Sequence, residues 1–181
     1  MKNSFMQFTY IAICAAILAI LAQLTIPLPL IPITGQSLAI ALIATIFTCK
    51  IAMGAVCLYL GMGIVGIPVF AGFTSGLGIL FGPTGGYLWS FLLMALIISL
   101  IVHQSKLSFT ISFLANLVGM VINLIAGSLW LAYYLDLPMN TAFATGFIPF
   151  FIVGIVKAFI ATTAGLQIKK RMAKARLLLF V

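Results

Sequence analysis

Apolar runs of about twenty residues recur along nearly the whole chain, and this pattern leaves little choice of fold. Of the 181 residues, 65% are hydrophobic, and only 9 are Lys or Arg and 1 is Asp or Glu. A water-soluble domain of this size needs many more charged side chains to cover its surface. A helix of about twenty apolar residues crosses about 30 Å of hydrocarbon. The sequence therefore predicts one integral membrane domain over residues 1–181, with the lipid bilayer as its solvent.

The apolar runs predict an all-α membrane protein with six transmembrane helices. The helices are expected at residues 8–26, 36–47, 52–65, 85–102, 109–135 and 149–168. Residues 27–36 join the first two, and the prolines there cannot continue a helix because proline lacks the amide hydrogen. The first run is long for a cleaved signal peptide and further spans follow it, so we predict a retained helix.

The basic residues fall on one side of the membrane if the chain crosses it six times. On that side lie Lys2, Lys50, Lys106, Lys169, Lys170, Arg171, Lys174 and Arg176. Residues 27–36 and 66–84 and the neighbourhood of Asp136 form the opposite side, without Lys or Arg. Because cytoplasmic ends of helices collect Lys and Arg, we predict cytoplasmic termini and a multi-pass protein of the cytoplasmic membrane. The same orientation accounts for the net charge of +8, so no nucleic-acid partner is predicted.

The remaining base, Lys157, lies within the sixth helix. It is twelve residues from Lys169 and eight from Pro149, or roughly 18 Å and 12 Å at the helical rise. An unpaired ammonium at such a depth costs at least about 2.5 to 3.5 kcal/mol. The only acidic side chain, Asp136, lies near the outer end of the fifth helix.

Two interpretations of Lys157 stay open. In the first, the amine bonds to backbone carbonyls and hydroxyls, loses its proton, or pairs with Asp136 as a structural link. In the second, it faces a water-filled pocket whose ligand supplies the negative charge. We favour the second, because ionisable groups inside membranes mark function more often than structure.

The segment "GPTGGY", residues 82–87, opens the fourth helix and suggests where a ligand binds. The hydroxyl of Thr84 can cap the helix, and Gly85 and Gly86 let a ligand approach free amide groups, which attract anions at a helix start. The preceding loop, residues 67–83, is long and uncharged, so we predict a lid over an outward-facing pocket. The alternative is that glycines only permit close helix packing, which we favour for Gly61 and Gly63.

Other chemistries find little support. The chain has no Gly-Lys-Ser or Gly-Lys-Thr motif for nucleotide phosphates. Cys14, Cys49 and Cys57 are scattered, so we predict neither a metal site nor a disulfide, and no cofactor. His103 and Asp136 lie at opposite ends of the membrane, and no catalytic constellation can be assembled, so we predict no enzymatic activity.

Asn116 and Asn123 lie seven residues apart on one face of the fifth helix. Buried amides need partners, so both are expected to point into the bundle and to make structural hydrogen bonds. Asn123 is also a candidate for the pocket wall.

Four segments together resemble the BioY family, the biotin-capturing membrane subunits of energy-coupling factor (ECF) transporters. They are "IPLPLIPITGQ", "GIPVFAG" with "GPTGGYL", "GSLWLA" and "GFIPFF", and the resemblance covers nearly the whole chain. It implies a six-helix substrate-binding subunit, or S component, that binds biotin at its extracellular end for vitamin uptake. It also implies docking on an energising module made of a coupling membrane subunit and two ATPase subunits.

The resemblance implies the following candidate residues for substrate binding: Thr34, Gln36, Phe70, Ala71, Gly72, Thr84, Gly85, Gly86, Tyr87 and Lys157. Tyr87 can supply an aromatic wall and a hydroxyl. In the first helix, an alanine pair such as Ala12 and Ala16 is implied to contact the coupling subunit. Close packing within this subunit, by that pair or by Ala15 and Ala19, explains the alanines equally well.

One position departs from the family pattern. Gly154 lies three residues before Lys157, where family members carry an aspartate that would share a helical face with the lysine. The lysine therefore lacks an expected partner. Either an unprotonated Lys157 or the ligand takes over that role, or the substrate preference has shifted. The alternative functions are an S component or solitary carrier for another small carboxylated vitamin, and, with less support, a membrane-embedded enzyme.

Overall fold

The computed structural model describes residues 2–28, 30–105 and 108–175, with side chains from residue 4 onward. Three basic groups assigned above to the positive side lie outside the described residues or side chains: Lys106, Arg176 and the side chain of Lys2. The secondary structure consists of α1 (Lys2–Ala22), β1 (Thr25–Ile26), β2 (Ile33–Thr34), α2 (Gln36–Ile46), α3 (Cys49–Ile64), α4 (Leu77–Leu80), α5 (Gly85–Gln104), α6 (Phe109–Tyr134), α7 (Met139–Gly146) and α8 (Ile148–Lys174).

Each predicted transmembrane helix corresponds to one of α1, α2, α3, α5, α6 and α8. In the described part of the chain, four helical stretches are long and apolar enough to cross a membrane: Ser4–Ala22, Gly85–Gln104, Phe109–Tyr134 and Met139–Lys174. The helices α2 and α3 are apolar but shorter. An all-α, multi-pass architecture is therefore confirmed, and the count of six spans stays a prediction.

The sequence placed the end of the first helix too late. α1 ends at Ala22, and the chain then forms a hairpin in which Thr25 pairs with Thr34 and Ile26 pairs with Ile33. The apolar residues after Ala22 read as a continuation of the helix, but the prolines that follow favour a turn. The hairpin ends at Thr34, two residues before the first residue of α2.

Small residues bring the long helices together. Gly119 of α6 lies against α5, where an added Cβ would stand 2.5 Å from Ile98. A Cβ added at Gly165 of α8 would stand 2.8 Å from the side chain of Thr45 on α2. In a bilayer, close backbone approach of this kind supplies much of the packing energy between helices.

Asn116 ties three of these helices together. Its Nδ2 lies 3.0 Å from Thr45 Oγ1 on α2 and 3.0 Å from Thr162 Oγ1 on α8, and it donates to Ser112 O at 2.9 Å. The side chain is fully buried. The predicted structural role of Asn116 is confirmed.

Contacts between helices define two ends of the bundle. At the basic end, Tyr10 packs on Phe47 with ring centroids 5.4 Å apart, and Lys169 Nζ lies 3.1 Å from His103 Nδ1. His103, to which the sequence analysis assigns no chemistry, thus contacts a base of α8.

At the opposite end, which we call the pocket end, Gln23, just after α1, contacts the loop of residues 67–83, which we call the glycine-rich loop. There Trp130 Nε1 donates to Gly82 O at 2.9 Å. Lys50 and the bases that follow Lys169 in α8 are therefore at one end, and the glycine-rich loop is at the other. This matches the segregation predicted from the sequence for those bases.

Candidate ligand-binding site

A cavity of about 250 Å³ lies at the pocket end, between the hairpin, the glycine-rich loop and the helices α2, α5, α6 and α8. Most of its wall is apolar, with side chains such as Ile31, Ile79, Phe91 and Leu124. The lining residues come from four stretches of the chain that are far apart in sequence: residues 31–37, 70–91, 120–124 and 150–157. Eight of the predicted site residues line it: Thr34, Gln36, Phe70, Ala71, Thr84, Tyr87, Asn123 and Lys157.

Three predicted residues, Gly72, Gly85 and Gly86, are not in the cavity wall. An added Cβ at Gly86 would overlap the side chain of Trp130, and one at Gly85 would overlap the carbonyl oxygen of Leu80. Gly72 has a φ of +69°, so it allows the loop a left-handed turn. The structure therefore places Gly85 and Gly86 where helix packing requires them, rather than where a ligand approaches.

Thr84 precedes the first residue of α5, as expected, but its hydroxyl makes no capping hydrogen bond. The capping prediction is wrong. Among the described residues, Thr84 Oγ1 has no hydrogen-bond partner, and the residue lines the cavity. Its hydroxyl is therefore available to a ligand instead of to the helix.

Lys157 reaches into the cavity from α8. Its Nζ donates hydrogen bonds to Thr34 O at 2.7 Å and to Ser37 Oγ at 3.0 Å. An ammonium has three N–H groups, so one remains for a ligand. Asp136 is not a partner of this amine, and the suggested structural link between them is wrong.

Both open interpretations of Lys157 thus hold in part. The amine does bond to a backbone carbonyl and a hydroxyl, and it also lines a cavity. These oxygens carry no net charge, so they solvate the ammonium without neutralising it. A ligand carboxylate in the cavity would do so.

The spacing along α8 explains how Lys157 reaches the cavity. Phe150, Gly154 and Lys157 lie four and three residues apart and therefore share one face of the helix, which lines the cavity. Gly154 has no side chain to cover the lysine stem. A Cβ there would lie 3.5 Å from Met120 Sδ, which is ordinary contact, so the wall is open at this point.

Gln36 is held by two neighbours. Thr34 Oγ1 donates to Gln36 Oε1 at 2.8 Å, and Gln36 Nε2 donates to the buried hydroxyl of Tyr59 at 2.6 Å. These bonds fix the amide at the start of α2, beside the oxygens that hold Lys157. They also connect the hairpin to α3.

Tyr87 contributes its ring to the cavity wall, but not its hydroxyl. The hydroxyl donates to Gly146 O at 2.9 Å and lies 3.4 Å from Ser128 Oγ. The suggestion that this hydroxyl serves a ligand is therefore not supported by its position. Its role is to attach α5 to the end of α7.

The glycine-rich loop is fastened by a residue that the sequence analysis did not identify. Gln23, just after α1, donates from Nε2 to Val69 O and Phe70 O at 3.2 Å each, and its Oε1 accepts from the backbone N–H of Phe73 at 2.8 Å. Phe73 has a φ of +56°, so the loop turns sharply there. The available signal was an amide side chain at the end of an otherwise apolar helix.

Phe70 is the part of the loop that enters the bundle. Its side chain is fully buried and meets Tyr59 edge to face, with ring centroids 5.5 Å apart. The ring occupies the space beside Gly63, where an added Cβ would overlap it. The predicted packing role of Gly63 is confirmed, whereas Gly61 has no atom near enough to need its missing side chain.

The alanines of α1 fall into two groups. Ala12 and Ala16 are exposed on the outward face, whereas Ala15 is fully buried and Ala19 is partly buried. The second pair therefore packs within the subunit. The first pair is left free for a neighbour in the membrane.

The comparisons with known proteins agree on one family. The sequence profile of the BioY family matches residues 1–174. The chain is 42% identical over 167 residues to the biotin transporter BioY2 of Lactococcus lactis subsp. cremoris (strain MG1363), covering 92% of each chain. It is 34% identical over 164 residues to the biotin transporter BioY of Thermotoga maritima, covering 91% of this chain and 96% of that one.

The fold has a solved counterpart. The crystal structure of the S-component for biotin from an ECF-type ABC transporter superposes with a TM-score of 0.85, at 23% sequence identity and with 93% of each chain covered. The S-component-like fold class is therefore confirmed. With a family profile matched over almost its full length, the chain belongs to the BioY family.

Proposed function

We propose that this protein captures biotin on the outer side of the cytoplasmic membrane and delivers it inward, as a single integral membrane domain over residues 1–181. The observation that carries the proposal is Lys157, an amine in the wall of an apolar cavity whose protein partners are uncharged oxygens. The relatives named as biotin transporters give the ligand its identity. Transport, rather than catalysis, is the activity of this family.

The chemistry of biotin suits this cavity. Biotin carries one carboxylate on a hydrocarbon chain and a fused ring system, so most of its surface is apolar. Leu124, Phe91 and the ring of Tyr87 supply an apolar wall, and Lys157 supplies a cation. A carboxylate that pairs with Lys157 offsets the cost of holding an ammonium in a poorly hydrated site.

We propose that the subunit works with an energising module of one coupling membrane subunit and two ATPase subunits. The matched solved structure comes from an ECF-type ABC transporter, and this chain has no nucleotide-binding motif of its own. Ala12 and Ala16 offer a flat, exposed strip on α1 where a partner helix can approach closely. We assign that strip to the coupling subunit.

A second candidate ligand is another small carboxylated vitamin or a biotin analogue. Gly154 favours it, because the missing side chain leaves room in the wall next to Lys157. A ligand that is broader at this point would find room beside Gly154. The carboxylate would still be required by Lys157.

Equilibrium binding of labelled biotin to the purified protein in detergent tests the proposal. We expect saturable binding that unlabelled biotin displaces. A panel of unlabelled carboxylated vitamins, lipoate and desthiobiotin among them, tests the second candidate in the same assay. A folded protein without saturable biotin binding would contradict the first candidate, and displacement by a panel member that binds more tightly than biotin would favour the second.

A further inference from the structure

Asn123 of α6 has an amide whose orientation is fixed by its neighbours. Its Nδ2 donates to Tyr87 O at 2.9 Å and to Ser90 Oγ at 2.7 Å. A backbone carbonyl can only accept, so the NH₂ group must face α5. Both of its hydrogens are then used, and the amide oxygen points elsewhere.

The oxygen of this amide reaches the cavity. Asn123 is only 4% exposed and lines the cavity. Among the described residues, none donates a hydrogen bond to Asn123 Oδ1. Every side-chain N or O atom of these residues that is fully shielded from solvent does have a hydrogen-bond partner. The Oδ1 atom is therefore open, and the space it opens to is the cavity.

The polar groups of the cavity thus have a defined pattern. On α8, Lys157 keeps an N–H group for a ligand acceptor. On α6, Asn123 presents an atom that can only accept. A ligand that satisfies both must carry an acceptor for Lys157, where a carboxylate also matches the charge, and an N–H or O–H donor for Asn123. A ligand without the donor would leave a buried acceptor unpaired, which is costly.

We propose that Asn123 Oδ1 accepts a hydrogen bond from a ring N–H of the ligand and so determines specificity for a cyclic urea or amide. Resting on the proposed function, this places a ureido N–H of biotin at Asn123 and its carboxylate at Lys157. The acceptor needs no rearrangement to bind, because Tyr87 O and Ser90 Oγ already hold the amide. Such preorganisation lowers the entropic cost of binding.

The test compares biotin with biotin methylated at both ureido nitrogens, which keeps the carboxylate but has no N–H donor. We expect the parent protein to bind biotin more tightly, by about 5- to 30-fold. In Asn123→Leu, biotin affinity falls by a similar factor, whereas affinity for the methylated analogue changes by less than about threefold. The preference between the two ligands therefore collapses in this variant.

Ser90→Ala is the matched control. It removes one acceptor of the Asn123 amide, but Tyr87 O still fixes its orientation, so the preference for biotin over the methylated analogue persists. Thermal unfolding of each variant reports whether it is folded. If Asn123→Leu does not fold, Asn123→Ala takes its place, and the preference of the parent protein already tests the need for a donor.

Two results overturn the inference. One is equal affinity of the parent protein for biotin and the methylated analogue. The other is an Asn123→Leu variant that keeps the preference, or that loses affinity for both ligands equally. In either case biotin still binds and the proposed function survives. A parent protein that binds no biotin at all refutes the proposed function, and the assigned role of Asn123 with it.

Discussion

Lys157 shows how a single side chain can define a site in an apolar protein. Its amine is held by Thr34 O and Ser37 Oγ, which orient it toward the cavity. Uncharged oxygens reduce the cost of desolvation but leave a net positive charge. The ammonium of Lys157 can therefore stay buried in this apolar site and still attract an anion. The same contacts connect α8 to the hairpin and to α2.

The glycines at the start of α5 can be tested one residue at a time. We expect Gly86→Ala to lower the free energy of unfolding by about 1 to 3 kcal/mol, because the new Cβ overlaps Trp130. Gly61→Ala is the control, since its Cβ meets no atom within 4 Å and alanine favours the helix by up to about 1 kcal/mol. Thermal unfolding in detergent measures both. A Gly86→Ala protein as stable as the parent would show that the glycine is not required for packing.

At the scale of residues, the sequence predicted charges better than backbone contacts. Lys157 is conspicuous because it is a lone cation in an apolar run. Its bond to Thr34 O could not be predicted, because every residue has a carbonyl oxygen and the partner is 123 positions away. The roles of Gly85 and Gly86 were ambiguous for a similar reason. A glycine leaves space, and only the fold shows whether a ligand or Trp130 fills it.

At the scale of elements, the loop between α3 and α5 lines the cavity and is held by both polar atoms of one side-chain amide, that of Gln23. Gln23 bonds to the loop through Val69 O, Phe70 O and the N–H of Phe73. Phe70 inserts between α3 and the cavity. The position of the loop thus depends on the end of α1, which is the helix that carries the outward alanine strip.

Gln23→Leu should loosen this loop. Losing the bonds from one amide is expected to raise backbone hydrogen exchange of residues 67–76 by about tenfold and to speed biotin dissociation by a similar factor. Gln7→Leu, within α1 and without these contacts, is the control. Exchange measured by mass spectrometry on the ligand-free proteins gives the first readout. Unchanged exchange in Gln23→Leu would mean that other contacts hold the loop.

The elements themselves were partly predictable. Long apolar runs located α5, α6 and α8, because such runs have few alternatives in lipid. The hairpin after α1 was missed, since its residues are as apolar as the helix before them. The short helix α7 follows Pro138 in a mixed segment of 8 residues, which is too short to form an apolar run. At the end of α7, Gly146 O accepts a hydrogen bond from the hydroxyl of Tyr87, so this missed helix supports the cavity wall.

At the scale of the whole molecule, two ends and one face differ in the groups they present. The pocket end holds the cavity, the basic end carries Lys50 and the bases of α8 from Lys169 onward, and the exposed face of α1 presents Ala12 and Ala16. The charge pattern predicted the two ends, because the positions of Lys and Arg determine how a protein is oriented in the membrane. The sequence could not decide which alanine pair faces outward, since that depends on the helices packed behind α1.

The exposed strip of Ala12 and Ala16 predicts that biotin binding and docking of the coupling subunit can be disrupted separately. We expect Ala12→Leu combined with Ala16→Leu to abolish copurification with a coexpressed coupling subunit, because the added side chains block close helix approach. Biotin affinity should stay within about twofold, since neither residue lines the cavity. Ile17→Phe adds bulk to a partly exposed residue elsewhere on α1 and should leave copurification intact. Normal copurification of the double variant would place the docking surface elsewhere.

The pairing of Lys157 with a ligand carboxylate is the central claim, and one binding measurement tests it most directly. The affinities of biotin and biotinamide, whose carboxylate is replaced by a neutral amide, are measured for the parent protein and for Lys157→Met. We predict that the parent prefers biotin by at least about 30-fold and that Lys157→Met binds both ligands with the weak affinity of biotinamide. A folded Lys157→Met protein that binds biotin as tightly as the parent would contradict the account.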